Sequence, residues 1–250
     1  MFPNQGINKW IYVEKVDSTN KQLLDYSKNF PTTNILLYSF KQTQGNGQFG
    51  RSWYSGEDKN LTLSYFFPIR DLKPANQWIL NCFVSVTLIQ WLSRILPQKE
   101  LKIKWPNDIY FDGQKLCGLL IQNSITTQQI NNTIIGLGIN VNEDSFPKDL
   151  PNPISFKQIL KKSFNLMDLV TDLTLHFQQK LLDFNTMNIK FNKEIYHSHL
   201  YRIEELAQFK SDDLGAFMGK IKGVNDIGKL EIEVNDRVET FGFKELTFIT

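Results

Sequence analysis

The stretch Gln42-Thr43-Gln44-Gly45-Asn46-Gly47-Gln48-Phe49-Gly50-Arg51-Ser52-Trp53 places three glycines within six positions. A backbone of this kind bends sharply and can present its N–H groups to an anion, which suits a phosphate or an acyl phosphate. It lacks the lysine and hydroxyl of a P-loop, and taken alone it reads as a flexible connection. Its company changes that reading. Arg51 and Trp53 stand at its exit, and two rigid segments follow, Lys104-Trp105-Pro106-Asn107-Asp108 and Gly136-Leu137-Gly138-Ile139-Asn140. In the first, a proline fixes the backbone where a lysine, an amide and a carboxylate must converge. Two further polar groupings flank them: Ser18-Thr19-Asn20 upstream, and Lys115 at the head of Lys115-Leu116-Cys117-Gly118-Leu119-Leu120.

Regular elements must hold these groups in place. Residues 10–16 read as a first strand, so Ser18, Thr19 and Asn20 lie at a strand-to-helix junction, where helix capping alone would account for them. Residues 35–40 form a short apolar strand that delivers the chain into the glycine loop. Leu61, Leu63, Tyr65 and Phe67 alternate with Thr62, Ser64 and Phe66, as in a half-buried strand. Residues 74–96 open with proline and are apolar around most of a helix, but Asn81, Gln90 and Arg94 interrupt them too often for a membrane span, so a central core helix is expected. Residues 101–105, 115–122 and 132–141 predict three more strands, the first two joined by a turn at Asp112-Gly113. Leu166, Leu169, Val170, Leu173, Phe177 and Leu181 make a helical stripe, with further helix expected through Ile195 and Leu200. From about Ala207 the pattern changes to short strands with tight turns at Asp226-Ile227-Gly228 and Asn235-Asp236. The expected division is residues 1–205 and a small β domain at 206–250.

Composition narrows the class. A chain of 250 residues, 41% hydrophobic and 13% aromatic, can bury a sizeable core. A formal charge of +2 with no basic run gives no footprint for nucleic acid or an anionic membrane. In the C-terminal region, Lys220, Lys222 and Lys229 are mixed with Glu231, Glu233 and Glu239, a solvated face rather than a basic groove. The two cysteines, Cys82 and Cys117, offer neither a disulfide framework nor zinc spacing, and residues 1–5 lack the features of a signal peptide. A cytoplasmic protein is expected. Cys117 reads as a small buried hydrophobe, and His176, His197 and His199 are assigned no metal.

The ordered set of Ser18-Thr19-Asn20, the glycine loop, Lys104 to Asp108, Lys115 to Leu120 and Gly136 to Asn140 resembles the biotin protein ligase family over nearly the whole chain. The resemblance implies an α+β fold: a mixed β-sheet flanked by helices, class II aminoacyl-tRNA synthetase-like, with a small C-terminal β-barrel-like domain. It implies ATP-dependent formation of biotinyl-5′-AMP, with Mg2+ arriving on ATP, and transfer of biotin to one lysine of a biotin carboxyl carrier protein. Few residues precede the first strand, so no DNA-binding role is expected, and neither is a membrane; the chain would be a monomer or homodimer. Carried over by resemblance, Lys115, Asp108 and Arg51 are the catalytic residues. Biotin would be held by Ser18, Thr19, Asn20, Gln42, Gly45 and Asn46, with Gly47, Gln48, Lys115 and Gly118. ATP would be held by Arg51, Trp53, Lys104, Asn107, Asp108 and Asn140. Asp108 could orient magnesium-bound phosphate or receive the proton of the carrier lysine. The competing readings are a lipoate or other acyl ligase of the same superfamily and a non-catalytic biotin- or nucleotide-binding protein. Asn46 and Gln48 stand where the family loop commonly has arginines, which predicts weaker retention of the intermediate.

Overall fold

The computed structural model describes residue 2 and residues 6–97, 100–184 and 188–249; residues 1 and 3–5 of the stretch read for a signal lie outside the described residues. The chain begins with β1 (Lys9–Tyr12), α1 (Thr19–Ser27), β2 (Ile35–Ser39), β3 (Gly45–Asn46), β4 (Ser52–Trp53) and β5 (Leu61–Pro68). It continues through α2 (Trp78–Leu92), β6 (Leu101–Lys104), β7 (Asp108–Phe111), β8 (Gln114–Ile125) and β9 (Ile130–Ile139). The helices α3 (Phe156–Leu160), α4 (Leu166–Asp183) and α5 (Asn188–Ser198) follow. The last strands are β10 (Leu206–Ser211), β11 (Gly215–Val224), β12 (Leu230–Val234), β13 (Arg237–Phe241) and β14 (Thr247–Phe248).

Seven strands form one mixed sheet in the order β1-β2-β5-β9-β8-β7-β6, with β1 and β2 parallel and the other neighbours antiparallel. The pleat sends successive side chains to opposite faces. On one face Leu63 and Tyr65 of β5 and Ile135 and Leu137 of β9 share a core with Phe83 of α2 and Phe177 of α4. On the other, Ile35, Leu37, Phe66 and Ile134 pack on Leu23 of α1. Strand β5 is therefore buried on both faces, not half-buried as its alternation suggested, and Thr62 and Ser64 are interior polar residues.

Proline opens a short 3-10 turn at Pro74–Asn76 before α2, in which every residue but Ile79 and Gln90 is buried. Among the described residues, no helix is long and apolar enough to cross a membrane. The segment after Leu101 departs from the expected pairing. Residues 104–108 link β6 to an additional strand, β7, and the Asp112-Gly113 turn joins β7 to β8. Both turn residues have positive φ, 46° and 73°, as a two-residue type I′ hairpin requires. Asn235 and Asp236, at 49° and 62°, do the same between β12 and β13.

The C-terminal strands form an open antiparallel sheet, β13-β12-β11-β10-β14, whose two outer strands do not meet, so the barrel-like closure expected of this region is absent. Its inward residues Phe209, Ile221, Leu230 and Ile232 belong to the same core cluster as the large sheet. Trp105 ties the two sheets together: Nε1 donates to Gly228 O at 3.0 Å, and its ring lies 5.3 Å from Phe243.

Candidate active site

Where β1 leads into α1, Val16 pairs with Gln42 in a parallel bridge, while Thr43 N and Gln44 N donate to Val16 O and Asp17 O. Two polar segments distant in sequence are thereby held side by side. Thr19 N donates to Gln42 Oε1 at 2.9 Å, which turns the Gln42 amide NH2 away from the helix. Ser18 occupies the N-cap position of α1 but makes no side-chain cap bond, and it is buried against the cavity. Capping therefore does not explain its hydroxyl. Asn20 differs: Nδ2 donates to Leu120 O at 3.3 Å and Gln122 Oε1 at 2.9 Å, and Oδ1 accepts from Ser64. Its amide is saturated by protein.

The glycine stretch is a small hairpin rather than a loose connection. Gly45 pairs with Trp53 and Asn46 with Ser52, and Gly47 N donates to Arg51 O at 2.7 Å. At its tip Phe49 adopts φ 57° and is exposed. The hairpin holds Trp53 flat on the sheet. A Cβ at Gly138 would lie 2.2 Å from the Trp53 ring and one at Gly118 2.8 Å from it. Glycine at these strand positions thus makes room for an indole, while at Gly136 it makes room for Asn20, whose Oδ1 would stand 2.2 Å from a Cβ.

Beyond the indole lies the charged end. Lys115 Nζ is 2.7 Å from Asp108 Oδ1 and 5.6 Å from the Trp53 ring centroid. The stem of Lys115 is fixed by its backbone: N donates to Asn152 O at 2.7 Å, and O accepts from Ile154 N and from Asn140 Nδ2. Asn140 Nδ2 also donates to Ile154 O at 3.1 Å, which leaves Oδ1 as the free side of that amide. Asn107 Nδ2 donates to Leu119 O, holding the Pro-containing turn against β8. Lys104 Nζ donates to Tyr110 OH at 3.0 Å. Burial lowers the Lys104 pKa and the neighbouring cations Lys115, Arg202 and Arg51 lower it further, with Asp108 opposing.

These groups face one cavity of about 1090 Å3. Ser18, Thr19, Asn20 and Gln42 line one part of it; Asn46, Gly47, Gln48, Arg51 and Trp53 cover it. Lys104, Asn107, Asp108, Lys115, Gly118 and Asn140 complete the wall. Of the residues expected to act in catalysis or to hold biotin or ATP, only Gly45 does not line it. Gly45 is buried in the hairpin, where a Cβ would stand 2.5 Å from Trp53 O and 2.6 Å from Gln42 Nε2.

The sequence matches the biotin/lipoate A/B protein ligase family over residues 12–140. The chain belongs to that family. It is 28% identical over 233 residues to the bifunctional ligase/repressor BirA of Bacillus spizizenii, covering 92% of this chain and 70% of the relative. It is 21% identical over 230 residues to a biotin–[acetyl-CoA-carboxylase] ligase of Mycobacterium tuberculosis, covering 90% and 83%. Its fold matches the biotin protein ligase from Aquifex aeolicus in complex with biotin and ATP, with a TM-score of 0.76 and 23% identity, covering 97% of this chain and 99% of that one.

Within this family member, several residues that shape the cavity escaped the sequence reading. Ser64 and Gln122 sit behind Asn20. Phe243, Leu246 and Phe248 bring the C-terminal sheet to the cavity rim. Glu143, buried to 1% exposure, accepts from Gly56 N and Asn60 Nδ2, both at 2.8 Å. The signal for Ser64 was present, a serine in the middle of an apolar strand; Glu143 carried none. Cys117 is fully buried and its thiol pKa is raised by that burial, as expected of a packing residue.

Proposed function

We propose that the protein is an ATP-dependent biotin protein ligase. It joins biotin to ATP as biotinyl-5′-adenylate, releasing pyrophosphate, and then passes the biotinyl group to one lysine of a biotin carboxyl carrier protein. A single observation carries this reading: one cavity joins a polar end at Ser18, Thr19 and Gln42 to the Lys115–Asp108 pair and to Trp53 beside Asn140. That order matches the molecule to be made, a ureido ring, a carboxyl joined to phosphate, and an adenine.

The two reacting groups are anions and repel each other, so the site must supply positive charge where they meet. In this reading Lys115 touches both the biotin carboxylate and the α-phosphate, while Lys104 and Arg51 meet the outgoing pyrophosphate. A carboxylate oxygen bonds to the α-phosphorus as the bond to the pyrophosphate oxygen breaks. In the second step the carrier amine gives up a proton, bonds to the biotinyl carbonyl carbon and displaces AMP. Asp108, 2.7 Å from Lys115 on the cavity wall, takes the proton. Among the described residues no cluster of three or more His, Cys, Asp or Glu could hold a metal ion by itself. A magnesium ion bound chiefly by ATP phosphates fits a wall whose carboxylates, among the described residues, are Asp108 and Asp149, and there it would neutralise phosphate charge. The hairpin at residues 45–53 shields the mixed anhydride from water.

The test is pyrophosphate release with ATP and biotin, lipoate or octanoate, in wild type and Lys115→Ala. Biotin-dependent release is expected, falling about 100-fold or more in the variant. Release supported equally by lipoate overturns the choice of acid.

A further inference from the structure

Ser64 Oγ lies 2.8 Å from Thr19 Oγ1 and 2.5 Å from Asn20 Oδ1, with the serine fully buried in β5 and outside the cavity wall. A hydroxyl has one proton, so the two contacts cannot both be donated by Ser64. The Asn20 amide settles which is. Its Nδ2 faces a backbone carbonyl, Leu120 O, and Gln122 Oε1, so Oδ1 can only accept, and the Ser64 proton goes there. The 2.8 Å contact is then a bond only if Thr19 donates into Ser64. Gln42 Oε1 is meanwhile satisfied by the Thr19 backbone N–H at 2.9 Å, nearer than the Thr19 hydroxyl at 3.2 Å.

We infer that the chain Gln122–Asn20–Ser64, which runs from the exposed end of β8 to the buried Asn20 and Ser64, commits the Thr19 proton inward and makes Thr19 an obligate acceptor toward the cavity. Gln42, turned by the same bonding, offers the NH2 side of its amide. The pair reads an N–H next to a C=O, the edge of a cyclic urea, and rejects a ring that puts an oxygen or an apolar atom where the N–H should be. Ser64 is a positioning residue for specificity, acting through Thr19. This deepens the biotin reading and rests on it.

The experiment measures binding, by calorimetry, of biotin and of its two cyclic carbamate analogues, in which a ring oxygen replaces one or the other ureido N–H. Wild type is expected to disfavour one analogue by about 100-fold or more, because a buried acceptor would face another acceptor. In Ser64→Ala the Thr19 hydroxyl is free to turn and donate, so biotin weakens about 10-fold and the preference over that analogue shrinks about 10-fold, with the KM for ATP unchanged. Gln122→Met, on an exposed position of β8, releases the Asn20 amide and shifts the same ratio in the same direction without a change inside β5. A ratio that stays at its wild-type value in both variants overturns the inference, as does an equal weakening of all three ligands, which is the signature of packing alone. Wild type that binds biotin but accepts both carbamates also overturns it while leaving the ligase reading intact. Wild type that binds no biotin overturns both.

Discussion

Glu143 offers a test of how the proposed nucleotide side of the cavity is held. Its carboxylate is buried to 1% exposure, with Oε1 receiving Gly56 N and Asn60 Nδ2 at 2.8 Å each and Lys59 Nζ at 3.6 Å from Oε2. Asn60 in turn accepts from Val141 N at 2.9 Å, directly after Asn140, and Gly56 lies three residues after Trp53. One buried carboxylate therefore couples the chain leaving the hairpin to the segment that carries Asn140. In Glu143→Ala both donors lose their acceptor. Asn60 is fully buried and costs about 2 kcal/mol unpaired, whereas the partly exposed Gly56 N–H can reach water and costs about 1 kcal/mol. The sum, about 3 kcal/mol, corresponds in a chain of this size to a Tm lower by about 9 °C. Glu143→Gln keeps an amide oxygen for both donors and should lose about 1 kcal/mol. Because the coupling serves Trp53 and Asn140, the KM for ATP should rise about tenfold in Glu143→Ala, or about 1.4 kcal/mol, while that for biotin changes less than about twofold. Gly56→Ala should act alike without altering charge, since its Cβ would stand 2.3 Å from Glu143 Oε1. Calorimetric melting and steady-state pyrophosphate release measure both quantities. An unchanged Tm in Glu143→Ala, or equal effects on the two substrates, would refute this account.

Two glycines on either side of Leu137 should separate the substrates: Gly138→Ala drives a methyl into the Trp53 ring and should raise the KM for ATP. Gly136→Ala displaces Asn20 and should weaken biotin, each by about tenfold or more, read by the same assay. Because the Lys104 pKa is lowered from the usual 10.5, the folded state binds fewer protons than the unfolded one between the two pKa values, and stability contributed by this group rises with pH there. ATP binding favours the charged lysine, so the KM for ATP should climb with pH below 10.5, with proton uptake on binding, and Lys104→Arg should remove the step because a guanidinium stays charged. Gln48 lines the cavity where the hairpin's other neighbour Asn46 is also neutral. Gln48→Arg should slow loss of the adenylate about tenfold, measured by trapping released adenylate, and an unchanged off-rate would exclude a charge deficit in the hairpin.

What the sequence revealed follows from how local the determinants are. The turns at Asp112-Gly113 and Asn235-Asp236 need positive φ at adjacent residues, so their identity announced them. The core stripe of α4 and the burial of α2 were likewise written in residue type. The strand Asp108–Phe111 was missed because Trp105-Pro106-Asn107 marks a break and only four paired residues follow it. The C-terminal strands were legible, but whether an antiparallel sheet closes depends on its edges, and β13 and β14 stay apart through contacts no local pattern encodes. Ser18-Thr19-Asn20 was recognised as a unit, whereas its division into the cavity-lining Ser18 and Thr19 and a saturated Asn20 depends on Ser64 and Gln122, 44 and 102 residues away from Asn20.

The precision of the site is inherited from the core beneath it. In β8, Cys117 and Leu119 enter the core while Gly118 between them supports the indole; in β9, Leu137 is buried between Gly136 and Gly138. The paired register, Gly118 with Gly138 and Leu119 with Leu137, places small residues together on one face and branched ones together on the other. A slip of one residue would put Leu137 or Ile139 under Trp53 and a glycine in the core, losing the indole seat and apolar burial at once. The large residues on the hidden face thus select the alignment in which the cavity has a flat floor, and the glycines can seat Trp53 and Asn20 because their neighbours fill the core.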